Sequence, residues 1–367
     1  MKRKEKKQQF IHLLVAALLL LALIFIFSRS TRLSEAYMQH LYPLYTTLFS
    51  FLSGIVPFSL YDLLITLALL WGVGMTAMLL FRKIGWKRFF LSVGWFVVIG
   101  VAWFYLGWGV AYFRDDFYAR SELEKAPYDS ENLMRITEAI IDQANHSYLD
   151  CSGMDMEEVR REIEQSYTLL QEPLRISYPN GRRRVKPMLY ESLYTGMGIS
   201  GYFGPFLNEI HLNNYALPFT YPFTLAHEMA HQFGIAAESE ANLYGFVVCA
   251  HSSHPMVRYS GYVSVMGYLL RDVRRLLPDR YEPLLQSIRP EIIADLQRNS
   301  DHWMAARNEK LSNAQDKMYD TYLRTNRVSS GRDNYSEVVG LLLSGYDLLV
   351  DTVKTTSSSA GGYWSPR

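Results

Sequence analysis

Three long apolar runs dominate the first third of the chain and fix its class before any motif is considered. Phe10 to Phe27 is a run of about 18 residues whose single polar member is His12, and it follows directly on Lys2, Arg3, Lys4, Lys6 and Lys7. Leu63 to Phe81 and Phe90 to Tyr112 carry no charge at all. At 1.5 Å of rise per residue, each run is long enough to cross a hydrocarbon core of about 30 Å. The pattern predicts three transmembrane helices, at about 10–28, 60–81 and 90–112. A signal peptide is the competing reading of the first run. That run exceeds the roughly 7–15 residues of a typical signal core, and Phe27-Ser28-Arg29-Ser30 is a poor cleavage site, so a retained anchor is expected. Between the first two spans, Tyr42 to Phe58 is apolar but broken by Pro43, Gly54 and Pro57. It is expected to lie in the membrane interface or to pack on the outer domain. Asp62 is expected at headgroup level.

After Tyr112 the pattern changes. Leu133, Ile136, Ile140 and Ile141 recur at helical spacing, and Met156 to Leu170 repeats that period with Glu157, Glu158, Glu162 and Glu164 on a polar face. From Arg184 to Asn213 the texture turns to Tyr, Gly and Pro with short alternations, and Met188-Leu189-Tyr190 and Glu209 to Asn213 fit short strands. Helical signals resume through Leu349. The fold class expected is α+β and mostly helical: a membrane domain over 1–113, a domain with a small sheet over 114–353, and a low-complexity, disordered tail over 354–367.

Charge adds an orientation. The whole chain carries 37 Lys and Arg against 36 Asp and Glu, which offers no signature for a polyanion, so nucleic acid is not an expected partner. The basic residues of the first 113 positions sit at the N-terminus and in the loop Arg82, Lys83, Lys87, Arg88, whereas the loop after the first span has only Arg29 and Arg32. The positive-inside rule therefore places the N-terminus in the cytoplasm and, with three spans, everything after about 113 outside the cytoplasmic membrane. The lipid bilayer is the first partner implied. Cys151 and Cys249 are too few for a disulfide framework.

The candidate chemistry lies in Thr224 to Gly234, which contains His227-Glu228-x-x-His231 just after Pro222, a good helix start. Residues four apart share a helix face, so His227 and His231 can present two imidazoles to one zinc ion (Zn2+), with Glu228 beside them to act on a metal-bound water. A third protein ligand is needed, and Glu238 and Glu240 in the next helical stretch both offer a carboxylate. They sit about 200° apart on a helix, so only one can face the metal. Glu238 is favoured because Asn242, one turn on, can hydrogen-bond a metal ligand. His251 and His254 read as surface histidines at a helix end, and Cys249 reads as a small buried hydrophobe.

His227-Glu228-x-x-His231 followed by Glu238-x-x-Ala241-Asn242 resembles the gluzincin arrangement. The three-span N-terminal part, the segment Gly198 to Phe206 with Asn208 to Asn213, the run from His227 to Asn242, and Tyr335 to Val339 resemble an uncharacterised family of bacterial membrane proteins that look like zinc peptidases. The resemblance implies a zincin-like metallopeptidase domain, with Glu228 catalytic and His227, His231 and Glu238 binding zinc. It implies a peptide or protein substrate, hydrolysed at a peptide or amide bond by zinc-activated water with Glu228 as general base. In such enzymes an edge strand binds substrate; Glu209, Ile210, His211, Leu212 and Asn213 are the candidates here, with a buried sheet strand as the plain reading of the same residues. Tyr322, Tyr335, Tyr346 and His302 are equal candidates for an oxyanion donor. A catalytically idle sensor or scaffold that binds partners through the same cleft is the alternative function.

Overall fold

The computed structural model describes residues 2–177, 183–326 and 335–352; the expected tail at 354–367 lies outside them. The chain falls into two units.

The first unit holds α1 (Lys2–Arg29), α2 (Thr31–His40), α3 (Tyr42–Gly54), α4 (Leu60–Leu80) and α5 (Trp86–Gly107). Residues 8–29 of α1, all of α4 and all of α5 are long and apolar enough to cross a membrane, and the chain is membrane-anchored on that account. The third of these helices is displaced from its expected place. It starts at Trp86 and ends at Gly107, where Trp108 takes a non-helical backbone and a short 3₁₀ turn, Gly109–Phe113, follows. α1 and α5 pack closely, with Leu13 lying over Gly94, where a Cβ would stand 2.6 Å from a leucine methyl. Trp71 stacks on Phe96 between α4 and α5.

Polar contacts close the unit at the ends of its helices. Arg114 grips the Glu35 carboxylate of α2 through two N–H···O bonds of 3.0 and 2.9 Å, a paired geometry that suits partial burial. Residues 183–189 and Gly204–Glu209 also belong to this unit, although they lie far along the chain. The reason is an exchange of hydrogen bonds. Lys186, buried, donates to the Ser53, Val56 and Phe58 carbonyls at and beyond the end of α3, and its ammonium stands 3.4 Å from the buried Glu209 carboxylate. Glu209 in turn accepts from the Tyr61 N–H in the first turn of α4, where a carboxylate meets an unpaired amide, and the Asp62 carboxylate accepts from the Leu189 N–H. Asp62, at the end of the second span, is thus buried within this unit.

The second unit contains α6 (Phe117–Ser121), α7 (Ser130–Ser147), α8 (Met156–Leu169), α9 (Glu191–Met197), α10 (Tyr221–Gln232), α11 (Glu238–Ala250), α12 (Pro255–Leu276), α13 (Pro278–Ser287), α14 (Pro290–Ala306), α15 (Glu309–Thr325) and α16 (Tyr335–Tyr346). The two helices read from periodicity at 133–141 and 156–170 are α7 and α8, each capped by an aspartate, Asp129 and Asp155, that accepts from first-turn amides. α11 is apolar almost all round and is accordingly the buried centre, between α10, α12 and α16. Tyr167 of α8 donates to the Ala226 carbonyl and Ser260 of α12 accepts from the Phe223 N–H, so α10 is held from two sides.

The sheet has three strands, β1 (Val185–Pro187), β2 (Gly201–Gly204) and β3 (Glu209–Leu212), in the order β1-β3-β2. Met188-Leu189-Tyr190 is not a strand: Leu189 is drawn to Asp62, and Tyr190 starts the turn into α9.

Lys186→Met removes the buried donor and leaves Glu209 without its cation. It is expected to cost about 3–5 kcal/mol of stability, read as a lowered Tm of the detergent-solubilised full-length chain. An unchanged Tm would show that this lysine is not what binds 183–189 to the helix ends.

Candidate metal centre

α10 begins with Pro222 at a position where its missing N–H leaves no bond unmade. It stops because Gly234 adopts φ +84°, a left-handed value at which a side chain is strained. The Ile235 N–H bonds the Ala230 carbonyl and the Gly234 N–H bonds that of His231, the paired closure of a glycine-capped helix end. The same turn brings the Ile235 carbonyl to 2.7 Å from His231 Nδ1. With Nδ1 donating there, the neutral ring presents an Nε2 lone pair on its other side.

α11 then returns along α10. Gly245 passes so close that a Cβ would stand 3.2 Å from the His227 backbone nitrogen, and Glu238 lies two turns earlier on the same face of α11. The result is a cluster in which ligand atoms of His227, His231 and Glu238 lie within 4.8 Å of one another. Nε2 of His227 is 3.2 Å from Nε2 of His231. The Glu238 carboxylate is 3.1 Å from the first and 3.7 Å from the second. Ligand atoms about 2.1 Å from a tetrahedral zinc ion would stand about 3.4 Å apart, so the donor set fits a zinc-sized cation.

The electrostatics agree with the geometry. Burial disfavours a charged His231, yet the Glu238 carboxylate outweighs it and lifts the imidazole to about 9. Burial likewise penalises the Glu238 carboxylate, but His231 and His227 hold it well below the usual range. The three groups together call for one positive charge among them. Glu228, on the turn between the two histidines, is buried and its pKa is raised by that burial, partly offset by His227 and His231. The backbone of Gly201 in β2 lies over it: a Cβ there would meet Glu228 Oε1 at 2.9 Å. His227 Nδ1 is buried and has no hydrogen-bond partner among the described residues.

Glu240, the competing carboxylate, points elsewhere. It pairs with Arg120 at 2.6 Å and accepts from the Phe117 N–H, tying α6 to α11. Asn242 is partly buried and its side chain makes no hydrogen bond among the described residues, so its expected support of a ligand is not found. Tyr319 of α15 is the side chain that reaches Glu238: its hydroxyl donates to Glu238 Oε1, leaving Oε2 towards His227. No sequence signal singles Tyr319 out among 26 tyrosines; only the fold carries it to Glu238, 81 positions away. Tyr322 stacks on Tyr319 at 6.2 Å. His302 is stacked on Tyr215 and bonded to its carbonyl, and Tyr346 is buried against Phe246. The side chain of Tyr335 lies outside the described residues.

The expected edge strand is a correction. β3 is the middle strand, with a neighbour on each backbone edge, and the side chains of Glu209, Ile210, His211 and Leu212 are all buried. Glu209 is committed to Lys186 and the Tyr61 N–H, His211 stacks on Tyr202 at 4.2 Å, and Asn213 bonds Thr195 and the Ile199 carbonyl. The edge strand beside Glu228 is β2. His251 bonds the Val247 carbonyl, His254 caps α12, and Cys249 is a buried, free thiol. Among the described residues, His227, His231 and Glu238 form the one group with metal-holding geometry.

A mostly helical, membrane-anchored protein with a His/His/Glu cluster on two antiparallel neighbours of its second unit is the class that fold and site define. Over residues 37–343 the chain matches the family described as "Protein of unknown function (DUF3810)", and it belongs to that family. No curated protein and no solved structure matches it.

Metal content separates the two carboxylates. Full-length Glu238→Ala is expected to lose bound zinc, whereas Glu240→Ala keeps it but loses about 3–5 kcal/mol of stability by stranding Arg120. Tyr319→Phe is expected to weaken zinc binding about 10–100-fold in a chelator competition. Zinc retained at full affinity in Glu238→Ala would remove that residue from the ligand set.

Proposed function

We propose that this chain is a membrane-anchored zinc metallopeptidase, gluzincin-like in its ligand set, that hydrolyses peptide or amide bonds outside the cytoplasmic membrane. The observation that carries the reading is the convergence of the His227 and His231 Nε2 atoms and the Glu238 carboxylate on one point, with Glu228 buried beside them.

His227, His231 and Glu238 would hold the zinc ion, and zinc in such a site makes a water acidic and polarises a carbonyl. Glu228 takes the proton and returns it to the leaving amine; burial raises its pKa, which suits a carboxylate that must do both near neutral pH. The His231 ring keeps its orientation through the Ile235 carbonyl, and Tyr319 keeps Glu238 from rotating. An extended substrate would add along the open side of β2, whose Gly201 backbone packs directly against Glu228. The basic N-terminus and the basic loop at 82–88 support a cytoplasmic N-terminus, with the second unit on the far side.

The test is Glu228→Gln in the zinc-loaded full-length chain, with peptide mixtures read by mass spectrometry. Wild type is expected to cleave and to stop on chelation; the variant is expected to keep its zinc and lose about 10²–10⁴-fold in turnover. Undiminished cleavage by the variant would overturn the role of Glu228. Zinc uptake with no cleavage, together with a cellular phenotype that Glu228→Gln rescues, would establish the idle-scaffold function instead. For sidedness, a reporter enzyme that folds only outside the cytoplasm, fused after the last residue, is expected to be active; an inactive fusion with a fluorescent cytoplasmic counterpart would reverse the orientation.

A further inference from the structure

α3 is amphipathic in the inverted sense. Its polar side is inside: Thr46, Ser50 and Ser53 are 1%, 2% and 3% exposed. Its apolar side is outside: Leu44 and Leu48 are 69% and 53% exposed, Ile55 at its C-cap is 59% exposed, and Leu41 at its N-cap and Phe51 continue the stripe at spacings of three and four. A helix facing water would bury the second set and expose the first.

We propose that α3 lies in the plane of the bilayer, with its Leu44-Leu48-Ile55 face among the acyl chains just beneath the headgroups of the leaflet where α1 and α5 end. Three observations support a lipid occupant. First, the buried side of α3 is fully employed within its own unit: Thr46 and Tyr42 bond Asn208, and the carbonyls at its end are taken by Lys186. Second, α3 is pinned to the last turns of a membrane helix. Trp103 of α5 donates to the Tyr45 hydroxyl at 2.9 Å, and Gly107 admits the Tyr45 ring where a Cβ would stand 2.7 Å from its oxygen. That fixes the depth of α3 at the end of a span, and α1 and α5 are, like its outer face, apolar and little buried within the chain. Third, thirteen residues span about 20 Å, too short to cross a core of about 30 Å, so the helix can enter one leaflet but not traverse. Consecutive spans alternate in direction, so the end of α1, the start of α4 and the end of α5 share one side. The leaflet is therefore the one facing the second unit's side of the membrane. Tyr37, Tyr42, Tyr45, Trp103 and Trp108 cluster at this level, as aromatic side chains do at an interface.

The full-length chain carrying Leu48→Cys or Phe51→Cys, each labelled with an environment-sensitive fluorophore, tests this in phosphatidylcholine nanodiscs. Cys151 and Cys249 are buried, and burial pushes the Cys151 thiol up to about 11, so the label goes to the introduced thiol. Lipids with a nitroxide near the headgroup are expected to remove about half or more of the fluorescence at both positions, with weaker quenching from a nitroxide deep in the chain. Leu19→Cys in mid-span should show the reverse order, and Asp279→Cys in the second unit should respond only to aqueous iodide. Quenching of Leu48→Cys and Phe51→Cys by iodide and not by labelled lipid would overturn the proposal. Protection from both quenchers that disappears on dilution into excess empty nanodiscs would also overturn it, by assigning the face to a second copy of the chain.

Discussion

The left-handed turn at Gly234 is the constraint on which the candidate site depends. Only six residues separate His231 from Glu238, and within them the chain must end one helix, reverse, and start another. A residue at φ +84° accomplishes the reversal at once, and glycine reaches it without a Cβ clash. The closure it makes satisfies the last amides and carbonyls of α10, and it also delivers the Ile235 carbonyl to the back of the His231 ring. One local conformation thus caps a helix, orients an imidazole and sets the start of α11 opposite it.

The same economy governs the buried charges. Arg120 with Glu240 and Lys186 with Glu209 are taken out of water, which is costly for each ion alone, and each is matched by an opposite charge and by backbone partners. Both pairs join pieces distant in sequence, α6 to α11 in the second unit and the 183–189 stretch to the ends of α3 and α4 in the first. The His227, His231 and Glu238 cluster differs in kind. Its carboxylate faces two imidazoles instead of Arg or Lys, and on both His231 and Glu238 the attraction between them outweighs the burial that disfavours their charged forms.

Much of the architecture was legible in the chain. The apolar runs predicted three membrane-length helices, with the third displaced because Trp108 breaks the helix before the apolar run is exhausted. The i, i+4 spacing of His227 and His231 predicted their shared face, and the angular separation of Glu238 and Glu240 predicted that only one could join them; the structure turns Glu240 to Arg120. The strand reading was less successful. A buried alternation looks the same in a middle strand and at an edge, so β3 could not be told from the edge strand β2, and the expected substrate strand Glu209 to Asn213 is instead enclosed.

The division has a physical reason. Periodicity, spacing and breakers act over a few residues along the backbone, so the sequence by itself determined the membrane runs, the amphipathic helices and the local geometry of the HExxH helix. What brings Tyr319 to Glu238, Lys186 to the carbonyls of α3, and Asn208 to the inward face of an inverted amphipathic helix is packing between segments dozens to more than a hundred residues apart. No short-range pattern encodes those meetings, because each is decided by which buried polar group is left without a partner once the helices have packed. Tertiary structure alone therefore chose the hydrogen-bond donor to Glu238, the strand left at the edge, and the apolar face left outside.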